Sequence, residues 1–494
     1  MLNSQPIAHP RRSTKLWAGG LLAAAVLGLA AYLVRGERWS SVAERTPMEL
    51  VRYTERRLEG HPTLQSLFGP ALDSVRSSLE REPPANLPTL GKGQQVFALT
   101  AAGYDSAGRP KAAPGAPAAN GGAQATSLVT SVNELVAAMG RAAPGQVLEL
   151  TPGKYDIQRA LATGNAGLAS QPIIVRAAKP GSVELVVTAL QGVLVNQPYW
   201  VFENLNWRGA CLQHDDCEHA FHVVGPARGT VILNNRISDF NAHVKINGQD
   251  GKWPDDGLLQ FTTLTNSSVR RTALPVSLVD LVGASGWQLA DNHVERIAKQ
   301  GGNRISYGVC VKGAGQQVRV ERNLVICAPE RVSQAGLRVG ISLGCGATGK
   351  EFCRDGRCDI ELSNSVVANN VVAHCNDFGI DLNRARNALV AHNTLVNTAG
   401  VDARQPTTQA VVVGNLLEGR IRARDGAGLD EHDNATANPL ASLLTAPNAL
   451  DLRWHETSDR TRSTPETDRD FCGQRRPPVS PPGATVQPSC DAVR

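Results

Sequence analysis

Five short stretches in the second half of the chain superpose when written one above another. They are residues 307–313, YGVCVKG; 339–345, VGISLGC; 378–384, FGIDLNR; 399–405, AGVDARQ; and 419–425, GRIRARD. Val309, Ile341, Ile380, Val401 and Ile421 share one column, and Val311, Leu343, Leu382, Ala403 and Ala423 share another two residues on. Apolar residues at period two mark one face of a strand, so the residues between them point the other way. Those positions read Cys310, Ser342, Asp381, Asp402, Arg422, and then Lys312, Gly344, Asn383, Arg404, Arg424. One face therefore gathers Lys312, Asp381, Asp402, Arg404 and Arg424. Asp381 and Asp402 stand one repeat apart, about 5 Å if the strands stack. Two carboxylates that close share a proton, take an arginine, or bind a cation. Calcium with a carboxylated ligand is one reading; pairing with Arg384, Arg404 or Arg424 is the other. Lys312, beside Gly313, reads as a base or as a solvated lysine. The two aspartates are also close enough for the retaining pair of a glycosidase, although nothing marks one of them as the acid.

The elements that must hold this face are repeats of a little over twenty residues. Residues 318–325 read VRVERNLV, 366–372 VVANNVV, 389–396 LVAHNTLV and 411–417 VVVGNLL. Asn323, Asn370, Asn393 and Asn415 take equivalent places, the last three separated by 23 and 22 residues. Such a period predicts an all-β chain, a right-handed single-stranded parallel β-helix. Each repeat is one coil, with apolar residues inward and stacked on the next coil. The asparagine is expected at a tight turn, in left-handed backbone, its amide laddered to the coils above and below. A β-sandwich does not explain the recurrence, and a leucine-rich or helical solenoid needs other spacing.

Composition agrees. The 494 residues include 47 glycines, suited to many turns, and only 4% aromatics, suited to thin coils. A net charge of +5 without a Lys/Arg block excludes a nucleic-acid arm and is compatible with an acidic partner. Ten cysteines, none in a CxxC zinc pattern, point to disulfides and an oxidising compartment. Cys211 with Cys217, Cys353 with Cys358 and Cys472 with Cys490 are near neighbours; Cys310, Cys327, Cys345 and Cys375 read equally as bridges or buried thiols.

Taken in order, residues 1–15 form a cytoplasmic N-terminus with Arg11, Arg12 and Lys15. Residues 16–34, uncharged, are long enough for a transmembrane signal anchor, with cleavage as the rival reading. The rest then lies outside the cytoplasm, periplasmic or at the cell surface. Residues 35–100 read as a helical membrane-proximal segment and 101–125 as an Ala/Gly/Pro-rich linker. The solenoid is expected over 126–430, its first coil capped by a helix at 132–139. In its earlier coils Asn235, Asn266 and Asn292 take the ladder place, and one further coil, 338–346, is expected between Asn323 and Asn370. Residues 431–494 are expected to close the C-terminal end.

The cap, the coils, the asparagine ladder and the closing tail resemble the right-handed β-helix carbohydrate enzymes, nearest the chondroitinase B and alginate lyase family and the mannuronan epimerases. The resemblance covers residues 126–475 and is one of architecture and repeat style. It implies a polysaccharide lyase acting on uronic acid-containing glycans by β-elimination, with an acidic polysaccharide as partner. Lys312 would stand for the lyases' lysine base, and Arg338, Arg384 or Arg404 for the assisting arginine. Arg338, Arg384, Arg424 and Lys245 would meet substrate; His222 and Lys252 would extend a subsite or be plain surface. Calcium would need Asp381 and Asp402 in place of the family's Asn and Glu ligands. Phe378–Asp381 resembles the epimerases' Tyr-Gly-Ile-Asp stretch, without the Pro-His-Asp that follows there. A β-helix that binds envelope polysaccharide without turnover is the non-enzyme alternative. It expects Lys312, Arg404 and the aspartates to be dispersed, where a lyase expects them to converge.

Overall fold

The computed structural model describes residues 47–58, 61–79, 83–84, 86–94, 126–177, 179–328, 336–346, 348–437, 440–455, 461–462, 467–486 and 490. The expected anchor and the 101–125 linker lie outside them. Among the described residues no helix is long and apolar enough to cross a membrane. The chain divides into two compact units that part at residues 81 and 82.

The first unit holds two helices, Pro47–Leu58 and Pro62–Leu79. Each starts with proline, whose missing N–H costs nothing at a first turn. Val51, Leu58 and Leu72 form their shared core. Arg76, buried between them, pairs with Glu55 and with Asp73.

The second unit is the solenoid, a parallel β-helix. Successive coils contribute strands to three long sheets of 14, 10 and 11 strands. Every pairing in these three sheets is parallel, and neighbours come from successive coils. Val309, Ile341, Ile380, Val401 and their neighbours two residues on point inward and are buried in one continuous core. The sheet register pairs Val309 with Ile341, Ile341 with Ile380, Ile380 with Val401 and Val401 with Ile421, the frame read from the sequence.

The cap is the helix Val132–Arg141, two residues longer than expected at its C-terminal end. Ser131 Oγ accepts from the Glu134 N–H, and Glu134 Oε2 accepts from the Thr130 N–H at 2.7 Å, so a capping pair fixes its start. Leu135 and Met139 cover the first coil.

The asparagine ladder is present and continues beyond the expected stretch. Asn292 donates to Asn323 Oδ1, Asn323 to Asn370, Asn370 to Asn393, Asn393 to Asn415 and Asn415 to Asn434, each through its side-chain amide at 2.9–3.0 Å. Each acceptor oxygen also takes the backbone N–H of the asparagine before it, at 2.8–3.0 Å. Three details differ from the sequence reading, and one left open is decided. Thr262, not Asn266, holds the place between Asn235 and Asn292: it accepts the Asn235 N–H, and its own N–H goes to Asn292 Oδ1. The left-handed residue is the one before the ladder asparagine, as at Asn234, Asp291, Arg322, Asn369 and His392. Asn323 and Asn370 are direct neighbours, so residues 338–346 belong to a single long coil rather than an extra one. All ten cysteines are bridged, Cys310 to Cys345 and Cys327 to Cys375 among them.

The described residues of the C-terminal segment pack along the flank of the stack. Leu440, Leu444, Leu450, Leu452, Phe471 and Ala484 pack on Leu324, Val371, Val396 and Leu416, which face outward from the 11-stranded sheet. Arg476 Nη2 donates to Asn369 Oδ1 at 2.7 Å, pinning the tail along the flank. Leu87 and Leu90 pack in the same cluster, and buried Lys92 pairs with Asp291 at 2.8 Å. Residues 86–94 thus belong to the solenoid and not to a membrane-proximal helical segment.

Candidate functional site

The ten-stranded sheet carries the aligned face. Lys245 in Ala242–Asn247 stands opposite Asp280 in Val276–Val282, and Asp280 opposite Cys310 in Ile305–Lys312. The column goes on through Ser342, Asp381, Asp402 and Arg422. Beside it, Asn247, Val282 and Lys312 are in register, and so are Asn383, Arg404 and Arg424. Rungs lie about 4.8 Å apart.

Arginines take the two aspartates. Asp402, fully buried, accepts from Arg422 at 2.7 Å and from Arg424 at 3.0 Å. Burial pushes its pKa up, against the pull of the two guanidiniums. Asp381 Oδ2 accepts the Ser342 hydroxyl at 2.7 Å and Arg404 Nη2 at 3.2 Å, while its Oδ1 is buried without a hydrogen-bond partner. Arg404 Nη2 also donates to the carbonyl oxygen of Cys345 at 2.9 Å, and Asn383 Nδ2 donates to the same oxygen at 2.9 Å. Two buried carboxylates thus meet three guanidiniums, and exposed Asp425 closes on Arg424 as a third, so the set is charge-balanced. That set does not suit calcium: a dication would have to displace arginines from short contacts.

A second group lies further back on the face. Lys245 Nζ meets Asp280 Oδ2 at 2.5 Å, and Asp280 Oδ1 is buried without a partner. Burial would raise the pKa of Asp280, but Lys245 and Lys312 outweigh it and hold it below the usual range. The His219 and His222 rings stand 5.1 Å apart, and His222 Nε2 is 2.8 Å from Asn247 Oδ1. Burial lowers the pKa of both, His219 to about 3, so both are neutral at pH 7.

Lys312 has no carboxylate in ion-pair contact among the described residues, unlike Lys245, Arg404, Arg422 and Arg424 on the same face. Its backbone lies three rungs, about 14 Å, from that of Arg404. The Arg404 guanidinium shortens this gap, because the carbonyl of Cys345 that it reaches belongs to the coil next to Lys312. Arg338 is 2% exposed at the start of its strand, its N–H bonded to Asn376 Oδ1, so it does not meet a polymer at the surface. Arg384 sits in the turn after Ile380–Asn383, left-handed at φ 56°, outside both outward columns of the face. Lys252 lies in a loop bridged to Gln249.

Sequence reasoning missed Asp280, Ser342 as a ligand of Asp381, and the Cys310–Cys345 bridge across the middle of the face. Asp280 had a signal: residues 277–283, SLVDLVG, fit the same frame one coil earlier.

No protein-family profile matches the sequence, and no curated protein sequence does either. Solved structures are similar in fold. A pectate lyase is 14% identical over 75% of this chain and 98% of its own, with a TM-score of 0.46. A family 6 polysaccharide lyase from Pseudopedobacter saltans is 14% identical over 64% of this chain and 94% of its own, TM-score 0.37. A lacto-N-biosidase from Eubacterium ramulus is 13% identical over 63% and 68%, TM-score 0.42. The chain is a parallel β-helix by its own strand pairing, and no residue role is carried over from these structures.

Proposed function

We propose that the chain binds a uronic acid-containing polysaccharide along the ten-stranded sheet and cleaves it by β-elimination. The observation that carries this reading is Lys312. It is the cation on the face with no carboxylate partner among the described residues, and it stands between the Lys245–Asp280 pair and the Arg404 guanidinium. In its neutral form Lys312 takes the proton on C5 of the uronate. The C5–H electron pair becomes the C4–C5 double bond, the C4–oxygen bond breaks, and the leaving oxygen takes a proton from solvent water, whose hydroxide is neutralised by the Lys312 ammonium. Arg404 faces the substrate carboxylate and stabilises the enolate-like intermediate, a task the residue set gives to arginine rather than to calcium. Arg422, Arg424 and Lys245 extend the cationic track on either side. The five disulfides suit a face held outside the cytoplasm, anchored through residues 16–34.

Binding without turnover is the second reading. It is favoured by the three-rung separation of Lys312 from Arg404 and by the pairing of both aspartates with arginine. The test uses the full chain with alginate, pectate and glycosaminoglycans, with calcium and with chelator, and follows the ultraviolet absorbance of the C4–C5 double bond. A rise that persists in chelator and is lost in Lys312→Ala is expected. Binding with no rise on any substrate leaves the non-catalytic reading, unless the products show inverted C5 centres, which is the outcome for an epimerase.

A further inference from the structure

The Cys310–Cys345 bridge crosses the face between its two charged groups. Cys310 lies two residues before Lys312 on the same strand; Cys345 begins the excursion that follows Leu337–Leu343. Both half-cystines are buried, at 2% and 1% exposure. Cys345 has left-handed backbone, φ 44°, a conformation that glycine accepts and cysteine resists. Several contacts hold it there. Its N–H donates to Ser342 Oγ at 3.0 Å, the same hydroxyl that donates to Asp381. Its carbonyl oxygen takes Arg404 Nη2 and Asn383 Nδ2, both at 2.9 Å. The other end of the excursion is fastened to the Lys312 turn. Glu361 Oε2 accepts the Gly313 N–H at 2.9 Å and the Thr348 hydroxyl at 2.7 Å.

We propose that the Cys310–Cys345 bridge is a positioning device for the site: it keeps Cys345 left-handed, so that its carbonyl draws the Arg404 guanidinium toward Lys312. The inference rests on the reading of Lys312 and Arg404 as the working pair. A parallel solenoid fixes the backbones of the two rungs, so the side chain must be drawn back by something outside the sheet. Without the bridge, an L residue at 345 relaxes toward ordinary φ, and its carbonyl turns away from Arg404 and Asn383.

The test separates positioning from plain stabilisation by using glycine. Two double variants are made in the full chain, Cys310→Ser/Cys345→Ala and Cys310→Ser/Cys345→Gly, with Cys353→Ser/Cys358→Ser as a control that removes the other bridge of the same excursion. Initial rates on the best uronan are expected to fall about tenfold in kcat for the alanine variant, the scale of a small misplacement near a reacting centre. The glycine variant, free to keep φ near 44°, is expected to recover most of that loss, and the control to keep wild-type rates. Phenylglyoxal labelling of Arg404, read by peptide mass spectrometry, gives a measure that does not depend on turnover. Labelling is expected to rise severalfold in the alanine variant and not in the glycine variant. Equal labelling of Arg404 in wild type and both double variants, or an equal rise in the two, overturns the proposal. Absence of turnover and binding in wild type would instead refute the functional reading, with the labelling result still deciding the positioning one.

Discussion

Asp402→Asn separates the arginine reading of the face from the calcium reading, because the two predict opposite signs. The substitution keeps the side-chain shape and one oxygen acceptor and removes one charge. Arg424 retains Asp425 at 2.5 Å, and Arg422 retains the Phe378 ring at 5.6 Å, so neither loses every contact. The group of three arginines with Asp381, Asp402 and Asp425 goes from neutral to +1. A new charge-assisted hydrogen bond from Arg422 to a uronate carboxylate contributes about 1.5–3 kcal/mol, from which ordering the side chain subtracts roughly 0.5–1.5 kcal/mol. A net gain of about 1 kcal/mol remains, roughly fivefold in affinity. Burial already raises the pKa of Asp402 despite its partners, so its charge is poorly stabilised and the neutral amide is expected to change stability by less than about 1 kcal/mol. Uronan oligosaccharide is titrated calorimetrically into Lys312→Ala and into Lys312→Ala/Asp402→Asn, at two salt concentrations, with and without chelator. Tighter binding in the double variant, more salt-sensitive and indifferent to chelator, is the expected result. Weaker binding, with a calcium requirement lost on substitution, would refute the reasoning and make Asp402 a cation ligand.

Two further outcomes test the scaffold. Asn370→Ala strands the Asn323 N–H and side-chain amide, which it accepts at 2.9 and 3.0 Å, and removes its own donation to Val320 O; a loss of about 3 kcal/mol is expected in urea unfolding, against less than about 0.5 kcal/mol for Gln409→Ala, an exposed strand position. Equal costs for the two would show that the ladder is not a stabilising element. Glu203 is buried with neither carboxylate oxygen hydrogen-bonded, and burial, only partly offset by Arg176, raises its pKa from 4.5 to about 7. The folded state therefore holds this proton more tightly than the unfolded one, so stability falls as pH rises from about 4.5 to about 7, and the cost, about 3 kcal/mol, is present in full above that. Glu203→Gln is expected to be more stable than wild type at pH 8 and to match it at pH 4; a Gln variant that is equally pH-dependent across that window would place the titration elsewhere.

The scaffold was legible because its determinants are local and repeated. Val309, Ile341, Ile380 and Val401 recur two residues before a second apolar residue, and each coil reuses the same alternation, so the register could be read before any contact was known. The ladder was legible where asparagine holds it and not where Thr262 does, because the place needs only an acceptor for the previous N–H, and a hydroxyl serves. The left-handed position was misassigned for a related reason. Asparagine suits that backbone, but Asn370 and its equivalents spend their amides on neighbouring coils, and the turn falls on residues as unlike as Asn369, His392 and Arg322. On the face, the outward columns were legible and the pairings only in part. Which aspartate Arg404 or Arg424 meets depends on rotamers of long side chains, and the burial of Arg338 depends on the turn near Asn376, far along the chain. Asp280 was overlooked because Leu278 stands where Gly308, Gly340, Gly379 and Gly400 mark four of the five aligned rungs.

A solenoid offers little freedom for building a site. Outward side chains repeat at the rung spacing, and two groups three rungs apart stay so however the chain between them varies. Only side-chain reach and departures from the coil can alter the separation of their working atoms. This chain uses both at one place. The coil from Asn323 to Asn370 is the longest between ladder neighbours, and its excursion after Leu343 leaves the stack just where the face passes from the lysine group to the arginine group. That excursion is tied at its start to the strand of Lys312 through Cys310 and at its end to the Lys312 turn through Glu361. It offers Arg404 a carbonyl that no regular coil supplies. If the face acts on a polymer, the reacting sugar therefore sits over this coil, and its neighbours in the polymer run over Lys245 on one side and Arg422 and Arg424 on the other.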